Sequence, residues 1–232
     1  MKGVFVAGTD TGVGKTRIAA GLVAALAARG EAVCGLKPVA AGAERTPDGL
    51  RNEDAEALRR AASVALPYEA VNPVCLEPPM APHLAAAEVS ADLDTGRLAG
   101  TLERAVPAGV RAVVEGAGGW LVPMAPGQTL ADLGAALRLP VVLVVGMRLG
   151  CLNHALLSAE SIRARGLSLA GWIACDPEPA MDARAANIET LRERLGAPLL
   201  ADLPHAPNAT PREVAEALLS AADFLVGEPP VS

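Results

Sequence analysis

Residues 8–16, GTDTGVGKT, finish as a phosphate-binding loop finishes, in Gly14-Lys15-Thr16. The strict spacing G-x-x-x-x-G-K-[ST] asks for a first glycine where this chain has Thr9, and the nearest upstream glycine, Gly8, comes one residue early. The chemistry open to such a segment is nevertheless defined. Gly12 and Gly14 lack a Cβ, so the backbone can curl until successive N–H groups point inward at an anion. The helix start that follows adds free N–H groups and the positive end of its dipole. Lys15 can bridge terminal phosphates, and the Thr16 hydroxyl can ligate Mg²⁺.

Other positions offer matching chemistry. The chain has 20 Lys and Arg residues, and the only lysines are Lys2, Lys15 and Lys37. Where lysine persists against that bias, a compact ammonium is expected to be required. Lys37 follows an apolar run, and we expect it to serve phosphoryl charge rather than folding. Glu115 ends another apolar run before Gly116-Ala117-Gly118-Gly119, and a carboxylate there suits a hard cation such as Mg²⁺. Asn52-Glu53-Asp54 reads, from the residues alone, as an N-cap with acids complementing the helix dipole. Leu149-Gly150-Cys151-Leu152-Asn153-His154 opens a further helix, whose N–H groups could bind a carboxylate. His154 reads as structural or solvated. His83 and His205 have no evident acid partner for a catalytic triad.

The elements that must position these residues follow from hydrophobic patterning. Continuous apolar runs at 4–7, 33–36, 112–114, 141–145 and 170–174, with a weaker one at 198–203, are expected to be strands covered on both faces. Helical patterns follow the loop (Ile18, Leu22 and Leu26 lie four apart) and recur at 52–64, 92–105, 129–138, 153–165, 181–195 and 211–222. This alternation predicts an α/β fold, doubly wound, with a mainly parallel sheet and helices on both faces. It is expected to be one domain over 1–232. Ligands in such folds sit beyond the carboxyl ends of the strands, where the residues above lie. The stretch 65–89, with five prolines and no clear period, is expected to be irregular.

Composition narrows the function classes. A net charge of −6 argues against nucleic-acid or anionic-membrane partners. The apolar run 139–147 ends at Arg148 and is too short to span a bilayer. The sequence shows no secretory leader pattern, so a cytoplasmic location is expected. Cys34, Cys75, Cys151 and Cys175 show no C-x-x-C spacing and read as reduced thiols.

Taken together, GTDTGVGKT at 8–16, KPVAAG at 37–42, LRNEDA at 50–55, VNP at 71–73, APH at 81–83, VEGAGGW at 114–120 and LGCLNHA at 149–155 resemble dethiobiotin synthetase, in order, from residue 4 to about 204. That family has a P-loop NTPase type of fold, and its variant loop carries threonine where the strict pattern has glycine. The resemblance implies ATP-dependent carboxylation of 7,8-diaminononanoate with CO₂, then ring closure to a cyclic urea, by a homodimer using Mg²⁺. It implies that Thr11, Lys15 and Lys37 serve the γ-phosphate and carbamate, and that Thr16, Asp54 and Glu115 surround Mg²⁺. Gly12, Val13, Gly14, Arg17, Gly116, Ala117 and Gly118 would contact ATP. Gly118 and Ala41 would face the substrate, and Gly150, Cys151, Leu152 and Asn153 would cap its carboxylate across the dimer. Cys175, Asp176, Pro204, His205 and Ala206 would lie near the base.

Three departures stand out. Gly12 replaces a glutamate of some members, Ala41 a serine, and Cys175 an asparagine that reads adenine. Two other classes share this loop style. A partition or positioning ATPase switch usually has an extra early lysine, where this chain has Asp10, and a cobyrinate-type amide synthetase would need a glutaminase segment.

Overall fold

The computed structural model describes residues 1–179 and 181–227. In chain order it comprises β1 (Lys2–Gly8), α1 (Lys15–Ala28), β2 (Val33–Leu36), β3 (Val39–Ala41), β4 (Glu44–Thr46), β5 (Gly49–Arg51), α2 (Glu53–Ala61), α3 (Tyr68–Val71), β6 (Val74–Leu76), α4 (Pro82–Val89), α5 (Thr95–Ala105), β7 (Arg111–Glu115), α6 (Leu130–Leu137), β8 (Val141–Gly146), α7 (Cys151–Ala164), β9 (Leu169–Cys175), α8 (Arg184–Arg194), β10 (Leu199–Leu203), α9 (Pro211–Ala217) and α10 (Leu219–Val226).

Six strands form one parallel sheet in the order β10-β9-β8-β1-β7-β2. The two central neighbours of β1 come from late in the chain, so the sheet is wound in both directions from β1. That is the expected doubly wound α/β architecture. Alternate residues of β1 feed opposite cores. Phe5 and Ala7 pack with α5, α6, α7 and α8, whereas Val4 and Val6 pack with α1, α9 and α10. Each of these four side chains is at most 3% exposed, which accounts for a run that does not alternate with polar residues.

Two expectations need correction. The proline-rich stretch 65–89 is not irregular throughout, since it contains α3, β6 and α4. Pro82 occupies the first turn of α4, where its missing N–H costs nothing. The segment 211–222 is two helices, α9 and α10, broken at Leu218 (φ −102°, ψ 4°). A small hairpin, β4 with β5 around Pro47-Asp48, and the two-stranded pair of β3 with β6 lie outside the main sheet. Three-residue strands carry too few apolar side chains to show in a periodicity.

Candidate active site

The phosphate loop joins β1 to α1 at the centre of the sheet. Gly8 is bare because the loop folds back over it: an added Cβ would lie 2.8 Å from Lys15 Cδ and 2.9 Å from Val13 Cγ2. Val13 is also seated against Gly146, where an added Cβ would come within 2.6 Å of its Cγ1. Thr9 stitches the loop to the end of β8. Its N–H donates to Val144 O at 3.0 Å, and its Oγ1 accepts from Gly146 N at 3.2 Å. Gly12 (φ 73°) and Gly14 (φ 90°) take the left-handed backbone that side chains disfavour. The loop is further held by Asp10. Its Oδ1 accepts from Thr11 N at 2.7 Å, its carbonyl accepts from Lys15 Nζ at 2.8 Å, and its carboxylate pairs with Arg148 beyond β8. Burial, then the nearby Lys37 charge, depress the Lys15 pKa to about 8.

Beside the loop lies a buried charge cluster. Lys37, just beyond β2, places Nζ 2.6 Å from Glu115 Oε1 and 2.8 Å from Asp54 Oδ2. The Thr16 hydroxyl donates to the same Glu115 oxygen at 2.7 Å. Glu115 closes β7 with no exposed surface, and its Oε2 has no hydrogen-bond partner. Burial alone would lower the Lys37 pKa, but the two carboxylates outweigh it and hold the ammonium charged. Burial would raise Asp54, yet the Lys37 charge and the Lys37 and Thr16 hydrogen bonds bring it below its usual range. Glu115 stays raised, because burial there exceeds the pull of Lys37.

A polar brace fixes where these groups stand. Lys37 N donates to Val71 O at 2.8 Å, and Asn72 Nδ2 donates to Lys37 O at 2.6 Å and to Val74 O at 3.1 Å. The Tyr68 hydroxyl donates to Asn72 Oδ1 at 3.1 Å and accepts from Asn52 N at 2.8 Å. Asn52 in turn caps α2, its Oδ1 accepting from Asp54 N at 3.1 Å. One phenol thus ties the backbone of Lys37 to that of Asp54. The sequence reading missed Tyr68, although VNP belongs to the motifs it quotes.

Around this centre the other expected residues are distributed unevenly. Gly118 faces Thr11, whose Oγ1 would be 3.4 Å from an added Cβ, and Gly116 is packed under Leu130. Trp120 anchors the turn through an edge-on contact with Phe5 at 5.9 Å and close packing on Gly134. Ala41 lines a polar cavity of about 390 Å³ with Asn52, Glu53 and Asp54. Arg17, Pro204 and Ala206 line another of about 530 Å³, together with Asn208. The buried Cys175 thiol lies beneath the phosphate loop, where an added Cβ on Gly14 would be 2.7 Å from its sulfur. Asp176 is held in place: its N–H donates to Leu203 O at 3.1 Å and its carboxylate pairs with Arg184 at 2.7 Å. At the start of α7, Gly150 is left-handed (φ 96°) and no side chain caps the helix. The Cys151 N–H is taken by Arg148 O at 2.9 Å, which leaves the carboxylate-binding expectation to its neighbours.

The model of a family described as an AAA domain matches residues 2–213. An ATP-dependent dethiobiotin synthetase of Cellvibrio japonicus is 51% identical over 203 residues, covering 88% of this chain and 89% of its own. One from Pseudomonas paraeruginosa is 51% identical over 218 residues, covering 93% and 95%, and one from Vibrio vulnificus 45% over 214, covering 92% and 94%. The chain belongs to the ATP-dependent dethiobiotin synthetase family. The likeness to switch ATPases is one of fold. The cell division ATPase MinD of Pyrococcus furiosus matches with a TM-score of 0.57 at 18% identity, over 97% of this chain and 99% of that one. MinD in the MinC:MinD complex of Aquifex aeolicus gives 0.61 at 15%, over 100% and 99%. At those identities what is shared is the fold, whereas the synthetases are 45–51% identical over most of the chain.

Proposed function

We propose that this chain is the ATP-dependent ligase that converts 7,8-diaminononanoate and CO₂ into dethiobiotin, ADP and phosphate, in biotin biosynthesis. The observation that carries the mechanism is the convergence of Lys15, Lys37, Thr16, Asp54 and Glu115 at the mouth of the GTDTGVGKT loop. One substrate amine adds to CO₂, loses a proton and becomes a carbamate. A carbamate oxygen attacks the γ-phosphorus and ADP leaves. The second amine attacks the carbonyl of the mixed anhydride, phosphate leaves with the bonding pair, and a second proton is lost. Thr11 and Gly12 to Arg17 cradle the phosphates, with Gly116 to Gly118 packed against them. Lys15 and Lys37 meet the charge that builds on the transferring group, so the work is positioning and electrostatics.

Thr16, Asp54 and Glu115 would hold Mg²⁺, which neutralises the phosphate oxygens when bound. The unpartnered, fully buried Glu115 Oε2 fits a hard cation. Among the described residues no group of three or more His, Cys, Asp or Glu side chains could hold a metal, so the protein alone would offer a sparse ligand set. The diamine enters by the cavity at Ala41, where acids line the wall. The base lies in the groove of Arg17, Pro204 and Ala206, with His205 beside it. A thiol tucked under Gly14 offers a base little, so discrimination is weak. A kcat/KM for ATP more than about a hundredfold above those for CTP, GTP and UTP would contradict that.

We propose a single domain over 1–232, a homodimer, and a cytoplasmic location. The dimer is supported by Leu149, 95% exposed beside the α7 start, and by the exposed Leu157 and Leu121. No helix among the described residues is long and apolar enough to cross a membrane. The direct test is ATP turnover with and without its co-substrates. ADP release should require both diamine and CO₂ and match dethiobiotin formed, whereas equal turnover without them would support a nucleotide switch instead.

A further inference from the structure

We propose that Lys37 is the resident counter-ion of the metal site: its ammonium neutralises Asp54 and Glu115 until a divalent cation enters with the nucleotide, and that entry releases the lysine toward the transferring group. The inference rests on the reading of Thr16, Asp54 and Glu115 as the metal's ligands. It goes beyond that reading by making metal entry and lysine delivery one event.

The geometry carries it. The two carboxylates are both within 2.8 Å of one Nζ, and the Thr16 hydroxyl shares the nearer Glu115 oxygen. The groups that would surround the metal therefore already surround a cation. Glu115 cannot be left bare, because an uncompensated carboxylate with no solvent contact is costly. Charge counting gives the direction. Lys15 and Lys37 balance Asp54 and Glu115, while Asp10 is paired separately with Arg148. A bare divalent cation adds two positive charges to a neutral, buried cluster. The same cation on a triphosphate arrives with its charge more than cancelled. The site should thus refuse free metal and accept the metal nucleotide.

The movable part is also defined. Asn72 and Val71 hold the Lys37 carbonyl and amide, so its backbone is pinned. Glu115 is locked at the end of β7. Only the four-carbon stem of Lys37 and the partly exposed Asp54 carboxylate are free to rearrange. A planar guanidinium could balance the same acids, but its fork would hold them through paired hydrogen bonds rather than as a compact, rotatable ammonium.

The experiment is titration of nucleotide-free protein with Mn²⁺, reading free aquo-Mn²⁺ by electron paramagnetic resonance. Wild type and Lys37→Arg should bind the bare cation weakly. Lys37→Gln should bind it at least tenfold more tightly, and adding Asp54→Asn to Lys37→Gln should abolish the gain. Lys37→Gln binding no more tightly than wild type overturns the proposal, as does Lys37→Arg binding as tightly as Lys37→Gln. A gain that survives Asp54→Asn would instead overturn the ligand assignment on which the proposal rests. If Lys37→Gln does not fold, wild type decides, with Mn²⁺ chelated by ADP alone subtracted from a protein-free titration: bare Mn²⁺ bound as tightly as Mn²⁺ in the presence of ADP overturns the idea, and binding at least tenfold weaker supports it.

Discussion

Lys37 makes the residue scale informative, because its side chain serves two ends at once. From the sequence, replacing it would be expected to cost activity and leave the thermal midpoint nearly unchanged. Its burial between Glu115 and Asp54 changes that expectation. Lys37→Gln should lower kcat about a hundredfold or more, the scale of losing one preorganised donor. It should also cost about 3 kcal/mol, the scale of breaking a buried ion pair, and lower the midpoint by roughly 5–10 °C. Calorimetry beside steady-state kinetics measures both, and an unaltered midpoint would show that Glu115 finds relief elsewhere. Lys15 gives a pH signature in the ligand-free protein. Its pKa falls from 10.5 unfolded to about 8 folded, so the folded state is penalised for carrying the charge. That penalty, roughly 3 kcal/mol, is full below pH 8 and fades as pH rises toward 10.5. Lys15→Met should therefore be more stable than wild type at pH 7, with the two converging near pH 10.5. A constant difference across that window would contradict the assignment. Lys37 was legible from the arginine bias of the chain, and Glu115 from its place after a strand. Asp54 was legible only through the family resemblance, since from the residues alone its cap position had a sufficient structural reason. The Asp10 pair with Arg148 was not legible, since its partners stand 138 positions apart and meet only because β1 and β8 are neighbours.

Among the elements, α3 is only four residues long, yet it sets the distance between the groups on β2 and α2. Tyr68 provides the hydroxyl and Asn72 the amide, and Arg51 covers the phenol ring at 4.1 Å from its centroid. Tyr68→Phe leaves the Asn52 N–H and one Asn72 oxygen lone pair without this partner, a loss of about 1–3 kcal/mol. It should raise the Mg²⁺ concentration needed for half-maximal rate several-fold, because the start of α2 carrying Asp54 is loosened. Leu66→Ala, which removes packing from the same small cluster, should lower the midpoint without moving the Mg²⁺ dependence. Equal Mg²⁺ curves for the two variants would reduce the brace to ordinary packing. The main strands could be read because burial on both faces demands unbroken apolar runs. The α3, β6 and α4 region could not, because five prolines leave its short elements no clear period, although Pro67 and Pro82 sit at helix starts, where proline is tolerated.

On the scale of the whole molecule, the segments carrying Lys15, Lys37, Glu115, Arg148, Cys175 and Pro204 lie at the carboxyl ends of β1, β2, β7, β8, β9 and β10, while Asp54 comes from the start of α2. The α7 start lies at that same end, bordered by the bare Leu149. If a second subunit covers it, Lys15→Ala and Asn153→Ala proteins should each be nearly inactive, and mixing them should restore part of the activity through heterodimers with one intact site. Verified subunit exchange without recovery would argue for sites complete within one chain. If a carbamate oxygen attacks the γ-phosphate at the Lys15 and Lys37 centre, phosphate released during turnover with ¹⁸O-labelled CO₂, kept from exchanging with water, should carry one ¹⁸O atom from CO₂ for each dethiobiotin formed. Phosphate with no label from CO₂, at undiminished dethiobiotin yield, would contradict it.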